Sequence, residues 1–93
     1  MYLGKRIKEL REQHGLLQRQ LSAELEIDTP MYSKIERGER RAKREQVIKL
    51  AKIFNVDKED LLTLWLASQI LDVVKNKSEA LNALKLVTQL YED

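Results

Sequence analysis

The sequence predicts an all-α protein, and three observations lead to this class. Of its 93 residues, 43% are hydrophobic and 34% are charged, which is typical of a folded globular chain. It contains one proline, three glycines and five aromatic side chains, which is few turn-forming and strand-forming residues for a β-sandwich. Apolar residues also recur every three or four positions along most of the chain, the spacing of amphipathic helices.

The first helix is followed by a recognisable helix end and by a short second helix. Apolar residues lie on one side of the first helix, at Leu3, Ile7 and Leu10. The His14-Gly15 pair is expected to end it, because glycine takes the left-handed conformation that closes many helices. The second helix is predicted from Gln18 to about Leu25.

The third helix follows the second after a very short turn. Asp28 is expected to be its N-cap, and Pro30 falls in the first turn, where a missing N–H costs nothing. The helix should run to about Arg37, with Gly38 as its left-handed stop. A polar and strongly basic linker, residues 39–43, comes next.

Three further helices are predicted in the second part of the chain. The fourth has a one-sided apolar face, formed by Val47, Leu50, Ala51 and Phe54. Asn55 is expected to end it, and Asp57 to cap the fifth helix, which extends to Val74. Apolar residues surround that helix from Leu61 onward, so all of its sides need to be covered. Ser78 is expected to cap a sixth helix that reaches about Tyr91.

Charge is distributed unevenly, although the net charge is only +2. Residues 1–60 contain 14 basic and 11 acidic side chains, whereas residues 61–93 contain 3 and 4. Between Lys34 and Arg44 there are six basic and two acidic side chains. This segment could be a solvated helix surface, but a local positive field also suits a polyanionic partner.

Several classes of function find no support in the sequence. Without cysteine there is no thiolate metal site or disulfide, and a single histidine, His14, cannot form a metal cluster. No glycine-rich phosphate loop and no spaced carboxylate and imidazole set is present, so we expect neither an enzyme nor a cofactor. The start MYLGKRIKEL has no apolar leader, and the fifth helix is too short to span a membrane. A cytoplasmic location is therefore expected.

Two short helices joined by a tight turn, with a basic segment after the second, match the layout in which a recognition helix enters the major groove of DNA. The segment GLLQRQLSAELEIDTPMYSKIERGER, and residues 3–62 around it, resemble the Xre and Cro type of helix-turn-helix regulator. The run from Ser33 to Gly38 is the most specific part. The resemblance implies a five-helix, lambda-repressor-like DNA-binding bundle, here with an extended fifth helix and an additional C-terminal helix.

The resemblance also implies roles for individual residues. Gln18 is similar to a glutamine that contacts phosphate and orients the helix. The predicted groove-facing positions of the recognition helix are Thr29, Pro30, Met31, Ser33 and Lys34. The residues predicted to contact the DNA backbone are Arg37, Arg40, Arg41 and Lys43. Arg44 lies near a position that can approach the minor groove. Arg11 and Glu36 resemble a partly buried ion pair, although they could also be ordinary surface residues.

General chemistry supports these assignments. Lysine and arginine neutralise phosphates, and only side chains on the first turns of a recognition helix reach base edges. Lys34 is the best candidate for reading guanine, whereas Met31 and the methyl group of Thr29 could touch thymine. The chain departs from the family at Leu17, where a hydroxyl N-cap is usual, and at Glu26, where the turn usually has glycine. Pro30 also removes one donor from the groove-facing set.

The residues beyond the predicted DNA-binding domain, 1–62, form a helical extension, 63–93. We expect it to dimerise the chain, because a small single core cannot cover a helix that is apolar all round. The interface prediction comprises Leu62, Trp65, Leu66, Ile70, Val73, Val74, Leu84, Val87 and Leu90. Packing of these residues within one subunit is the alternative.

Two kinds of function fit this organisation. The first is a homodimeric regulator, most simply a repressor, that binds double-stranded DNA at an inverted repeat; a controller of a restriction and modification system is one subclass. The second is an antitoxin or interaction module whose C-terminal helices bind a different protein.

Overall fold

The computed structural model describes residues 2–93, which form six α-helices and, within that range, no β-strand. The helices are α1 (Tyr2–Gln13), α2 (Gln18–Leu25), α3 (Thr29–Glu36), α4 (Arg44–Phe54), α5 (Lys58–Val74) and α6 (Ala80–Glu92). The predicted all-α class and the order of the helices are confirmed.

Helices α1 to α5 surround one hydrophobic core. α4 packs against α5, α2 packs against α3, and α1 lies across both α3 and α5. The largest side chains that are fully buried there are Tyr32, Phe54, Ile7, Leu21, Leu50, Leu61 and Val47. The one-sided face predicted for the fourth helix is therefore confirmed as a core face, because all four of its apolar residues are buried.

Helix ends follow the local chemistry of the sequence. Asp28 accepts a hydrogen bond from the Met31 N–H at 2.7 Å, and Asp57 accepts one from the Glu59 N–H at 2.9 Å, so both predicted N-caps are confirmed. Glu26 and Asn55 close α2 and α4 with φ angles of 58° and 54°, in the left-handed region. Glycine favours that region more than either residue does.

The backbone of α1 approaches the end of α3 very closely at Gly4. A Cβ atom built on Gly4 would lie 2.3 Å from the carbonyl oxygen of Glu36 and 2.7 Å from that of Ile35. No side chain fits in that space, so the contact between these helices depends on the absence of a Cβ atom.

One side of α5 faces the core of its own chain. Leu62 is buried, and Trp65 packs half-buried against the core. The Ser68 hydroxyl, also buried, donates to the Leu64 carbonyl oxygen at 2.8 Å and lies 3.4 Å from the Leu3 nitrogen. The structure therefore gives Leu62 and Trp65, which were predicted at an interface, a role inside one chain.

The last helix lies outside this core. α6 has no buried residue. The prediction that Ser78 caps it is wrong: α6 begins at Ala80, Glu79 holds the N-cap position without a side-chain cap, and the Ser78 hydroxyl donates to the Glu79 carboxylate. A turn at residues 78–79 delays the helix beyond the reach of the serine.

Candidate DNA-binding surface

A three-residue turn, residues 26–28, joins α2 to α3. The left-handed Glu26 reverses the chain, and the Ile27 N–H donates to the Ser22 carbonyl oxygen at 3.0 Å. The hydroxyl groups of Ser22 and Thr29 lie 3.1 Å apart and link the start of α3 back to α2. The turn thus holds the two helices in one fixed relation, despite the strain at a non-glycine residue.

One face of α3 is fixed in the core, and the opposite face is accessible. Tyr32 and Ile35 are buried, whereas Pro30, Lys34 and Arg37 are exposed. Thr29, Met31 and Ser33 are partly exposed. The residues that were predicted to face a DNA groove therefore lie at the accessible side of this helix.

The basic linker between α3 and α4 is fixed by one small apolar residue. Ala42 is buried, and its carbonyl oxygen accepts a hydrogen bond of 2.7 Å from the Trp65 indole N–H. On either side, Arg40, Arg41, Lys43 and Arg44 are all exposed. The linker is thus attached to the protein through its backbone while its cationic side chains extend into solvent.

Arg37 is exposed but already has partners within the chain. Its guanidinium group forms an ion pair with Glu39 and donates to the Ser33 hydroxyl at 2.6 Å. Both Arg37 and Ser33 were predicted to contact DNA, so contact with a phosphate would exchange these bonds for new ones. Exposed ion pairs of this kind contribute little to stability, so exchanging the Glu39 and Ser33 partners for a phosphate would cost little free energy.

A buried carboxylate joins α1, α2 and α3. Arg11 donates to Glu36 twice, from Nε at 2.7 Å and from Nη2 at 3.2 Å, and Gln18 Nε2 donates to the same carboxylate at 3.1 Å. The side chains of Glu36 and Arg11 are 3% and 13% exposed. This bidentate geometry fixes the start of α2 and the end of α3 relative to α1.

The surroundings of this cluster shift two pKa values in opposite directions. Burial alone would raise the pKa of Glu36, but hydrogen bonds from Arg11 and Gln18 and the adjacent hydroxyl of Tyr32 outweigh it and hold that pKa below its ordinary value. Burial, and then the negative charge of Glu36, raise the pKa of Tyr32. Among the described residues, the Tyr32 hydroxyl is a buried polar atom without a hydrogen bond of good geometry.

Residues 7–61, more than half of the chain, match the model of a protein family described as helix-turn-helix. The chain belongs to this helix-turn-helix family of Xre and Cro-type regulators. It is therefore a DNA-binding helix-turn-helix regulator, in which α2 and α3 form the namesake pair. No curated protein and no solved structure matches the chain in the other two comparisons.

Outside the helix-turn-helix unit, apolar side chains concentrate on α5 and α6. Nine of the eleven large hydrophobic side chains that are exposed in the described part of the chain lie on these two helices. Of the predicted interface residues, Leu66, Ile70, Val73, Val87 and Leu90 are 48–67% exposed. Val74 and Leu84 are partly exposed and line an apolar groove of about 330 Å³ between the helices.

Sequence reasoning overlooked a basic cleft that the fold creates beside the helix-turn-helix unit. Its volume is about 460 Å³, and Lys5, Lys8 and Arg11 of α1 line it together with residues of α2 and α3. The signal was available, because three-residue spacing places these cations along one side of a helix.

The described helices include none that is both long and apolar enough to cross a membrane.

Proposed function

We propose that the protein is a sequence-specific transcriptional regulator, a repressor, that binds an inverted-repeat operator as a homodimer in the cytoplasm. The observation that carries the proposal is the accessible face of α3, flanked by the exposed cations of the basic linker. Residues 1–62 would bind DNA, and residues 63–93 would join two copies.

The proposed roles on DNA divide into base reading and backbone binding. Lys34 extends from the last turn of α3 and can donate to the acceptors of guanine, while Thr29 and Met31 offer methyl groups to thymine. Gln18, Arg40, Arg41 and Lys43 lie at the ends of neighbouring elements, where phosphates would flank the groove. Arg44, at the start of α4, would approach the minor groove.

The dimer proposal is supported by the amount of apolar surface on α5 and α6. Burial of a leucine-sized side chain removes on the order of 100 Å² from water, so nine such side chains provide roughly the 800 Å² that each partner contributes to a standard interface. Two joined copies would place their recognition helices about one DNA turn apart.

Selection of bound duplexes from a random pool tests this function. We expect enrichment of an inverted repeat whose half-sites are about 10 bp apart, centre to centre. Enrichment of a single, unpaired half-site would contradict the two-fold arrangement.

Two substitutions separate base reading from phosphate binding on the selected operator. Lys34→Ala should cost about 1 to 3 kcal/mol and relax the base preference at one position. Arg41→Ala should weaken binding to all sequences alike and lower the salt slope by about one. Indistinguishable effects of the two variants on a panel of single-base operator mutants would refute this division.

A second function uses the same exposed surface of α5 and α6, which would suit a different protein as well as a second copy. In that case the chain is an antitoxin or interaction module, and its DNA contact is secondary. Light scattering of the purified protein distinguishes the two: a homogeneous mass near twice 10.9 kDa supports the homodimer. A monomer that aggregates until a partner is co-expressed supports the alternative.

A further inference from the structure

The basic cleft beside the helix-turn-helix unit has two walls of different origin. Lys5 and Lys8 extend from α1 on one side, and Gln18, Ser33 and Arg37 come from α2 and α3 on the other. The second wall consists of residues already proposed to contact DNA. A DNA strand that reaches Gln18 and Ser33 would therefore pass in front of the α1 lysines.

The charges in the cleft are not equally available to a ligand. Arg11 is held by the carboxylate of Glu36, and Arg37 is paired with Glu39. Lys5 and Lys8 are exposed, and neither forms an ion pair with any residue in the described range. With four cationic side chains and Glu36 as the one acidic side chain in its lining, the cleft has a net charge of +3.

We propose that Lys5 and Lys8 bind phosphodiester oxygens of the DNA strand next to the recognition groove, so that the DNA-binding surface extends onto α1. The inference rests on the proposed function and deepens it. Lysine suits this role because its ammonium group is a mobile point charge that approaches a phosphate from many directions. Each neutralised phosphate releases condensed counterions, so the contacts contribute to affinity without reading sequence.

The chemistry of the cleft favours phosphate over bases as the ligand. Lys5 and Lys8 belong to α1, whereas the residues that can enter the groove belong to α3. The neighbouring amide of Gln18 and hydroxyl of Ser33 are neutral groups able to hydrogen-bond phosphate oxygens. The two lysines should thus act equally on every duplex, which separates their role from that of Lys34.

The test compares two double variants of the full chain that have the same net charge. Lys5→Gln with Lys8→Gln removes the two cleft lysines, and Lys52→Gln with Lys58→Gln removes two exposed lysines that do not line the cleft. The probe is a fluorescent 30-bp duplex of mixed sequence, titrated by anisotropy over a series of KCl concentrations. Thermal unfolding by circular dichroism checks that each variant is folded.

We expect the cleft variant to bind about 5- to 30-fold more weakly at 100 mM salt, with a salt slope smaller by about one to two. The affinity of the control variant should change by less than about twofold, because salt screens charges that lie far from the bound DNA. Lys5→Arg with Lys8→Arg should retain the original affinity, since it keeps both charges.

Equal binding by the cleft variant and the control would overturn the proposal while leaving the proposed function intact. Loss of affinity in the arginine variant as well would also overturn it, because the effect would then not follow charge. Absence of any salt-sensitive binding by the unsubstituted protein would overturn this inference and the proposed function together.

Discussion

Glu36 connects three helices through a single carboxylate, and its environment stabilises the charged form. Arg11 and Gln18 donate to it, and only 3% of its side chain is exposed. A buried charge is tolerated only when it is paired and hydrogen-bonded, so each partner depends on the others. This cluster is therefore where a single side chain has the largest effect on how α1, α2 and α3 fit together.

Glu36→Gln should destabilise the protein by about 2 to 4 kcal/mol, because it leaves the guanidinium of Arg11 without a counter-charge. Urea unfolding at pH 7 measures the change. The conservative Glu9→Gln at an exposed ion pair is the control, and we expect a change below about 0.5 kcal/mol. Equal stability of the two variants would mean that the buried pair is not important for folding.

The depressed pKa of Glu36 also predicts a dependence of stability on pH. Its ordinary value is 4.5, and its folded value is lower, so the unfolded chain binds more protons as the pH falls through this region. The stabilisation is complete well above pH 4.5 and is lost below it. Unfolding free energies at pH 7 and pH 3.5 should differ less for Glu36→Gln than for the unsubstituted protein.

At this scale the sequence predicted partners but not geometry. Pairing of Arg11 with Glu36 was expected from the family resemblance, because both residues occupy positions that the family uses. The bonds from Arg37 to Glu39 and Ser33 were not expected, since they depend on how the chain turns after α3. The buried hydroxyl of Tyr32 was also not predictable, because periodicity identifies a core position but not the partners of its polar atom.

The turn between α2 and α3 carries strain that one substitution can remove. Glu26 has φ 58°, where a glycine has no Cβ atom to clash. Glu26→Gly should therefore stabilise the protein by about 0.5 to 1 kcal/mol. The matched control is Glu24→Gly, inside α2, where the same change should destabilise by about 1 kcal/mol. Equal shifts of both variants in thermal unfolding would show that Glu26 is not strained.

The close contact of α1 with α3 predicts the opposite behaviour at Gly4. Alanine is the better helix former, yet its Cβ would lie within 2.3 Å of a backbone oxygen, and neither helix can move without disturbing the core. Gly4→Ala should destabilise by about 1 to 3 kcal/mol. Lys5→Ala, at the exposed neighbouring position, should change stability by less than about 0.5 kcal/mol, and denaturant unfolding compares the two.

Most of the elements could be predicted because their ends have strong local signals. Asp28, Asp57 and Asn55 act where the sequence indicates, since caps and left-handed stops depend on neighbouring residues alone. The predicted start of α6 was wrong because the chain forms a turn at residues 78–79, so the helix begins too late for Ser78 to cap it. The close approach at Gly4 was not foreseen, because it depends on where a distant helix ends.

The whole molecule has a compact core and an uncovered apolar surface on α5 and α6. Periodicity could not determine which side of α5 faces which partner, because a helix that is apolar all round has no preferred direction. The structure shows that Leu62 and Ser68 face inward, while Leu66 and Ile70 remain half-exposed. α6 leaves Leu66, Ile70, Leu71 and Val73 of α5 exposed, and this is the surface that the proposed homodimer would bury.

Leu90→Asp should convert the proposed homodimer into a monomer, because an exposed leucine of the proposed apolar interface would be replaced by a charge that burial leaves unpaired. Leu17→Asp is the matched control, since Leu17 is also exposed but lies outside α5 and α6. We expect light scattering to give about half the mass for the first variant and an unchanged mass for the second. Operator affinity of the Leu90 variant should fall as well, because two half-sites are no longer bound by one joined molecule. An unchanged mass would place the interface elsewhere.

The hydrogen bond between Trp65 and Ala42 makes tryptophan fluorescence a probe of the basic linker. Trp65 is the only tryptophan in the sequence, and its indole N–H is bound to the backbone of the segment that contains Arg40 and Arg41. Binding of a duplex that displaces this segment would change the polarity around the indole ring. The tryptophan emission spectrum should therefore shift during a DNA titration, with no need for an attached dye. The Trp65→Phe variant should show no tryptophan emission.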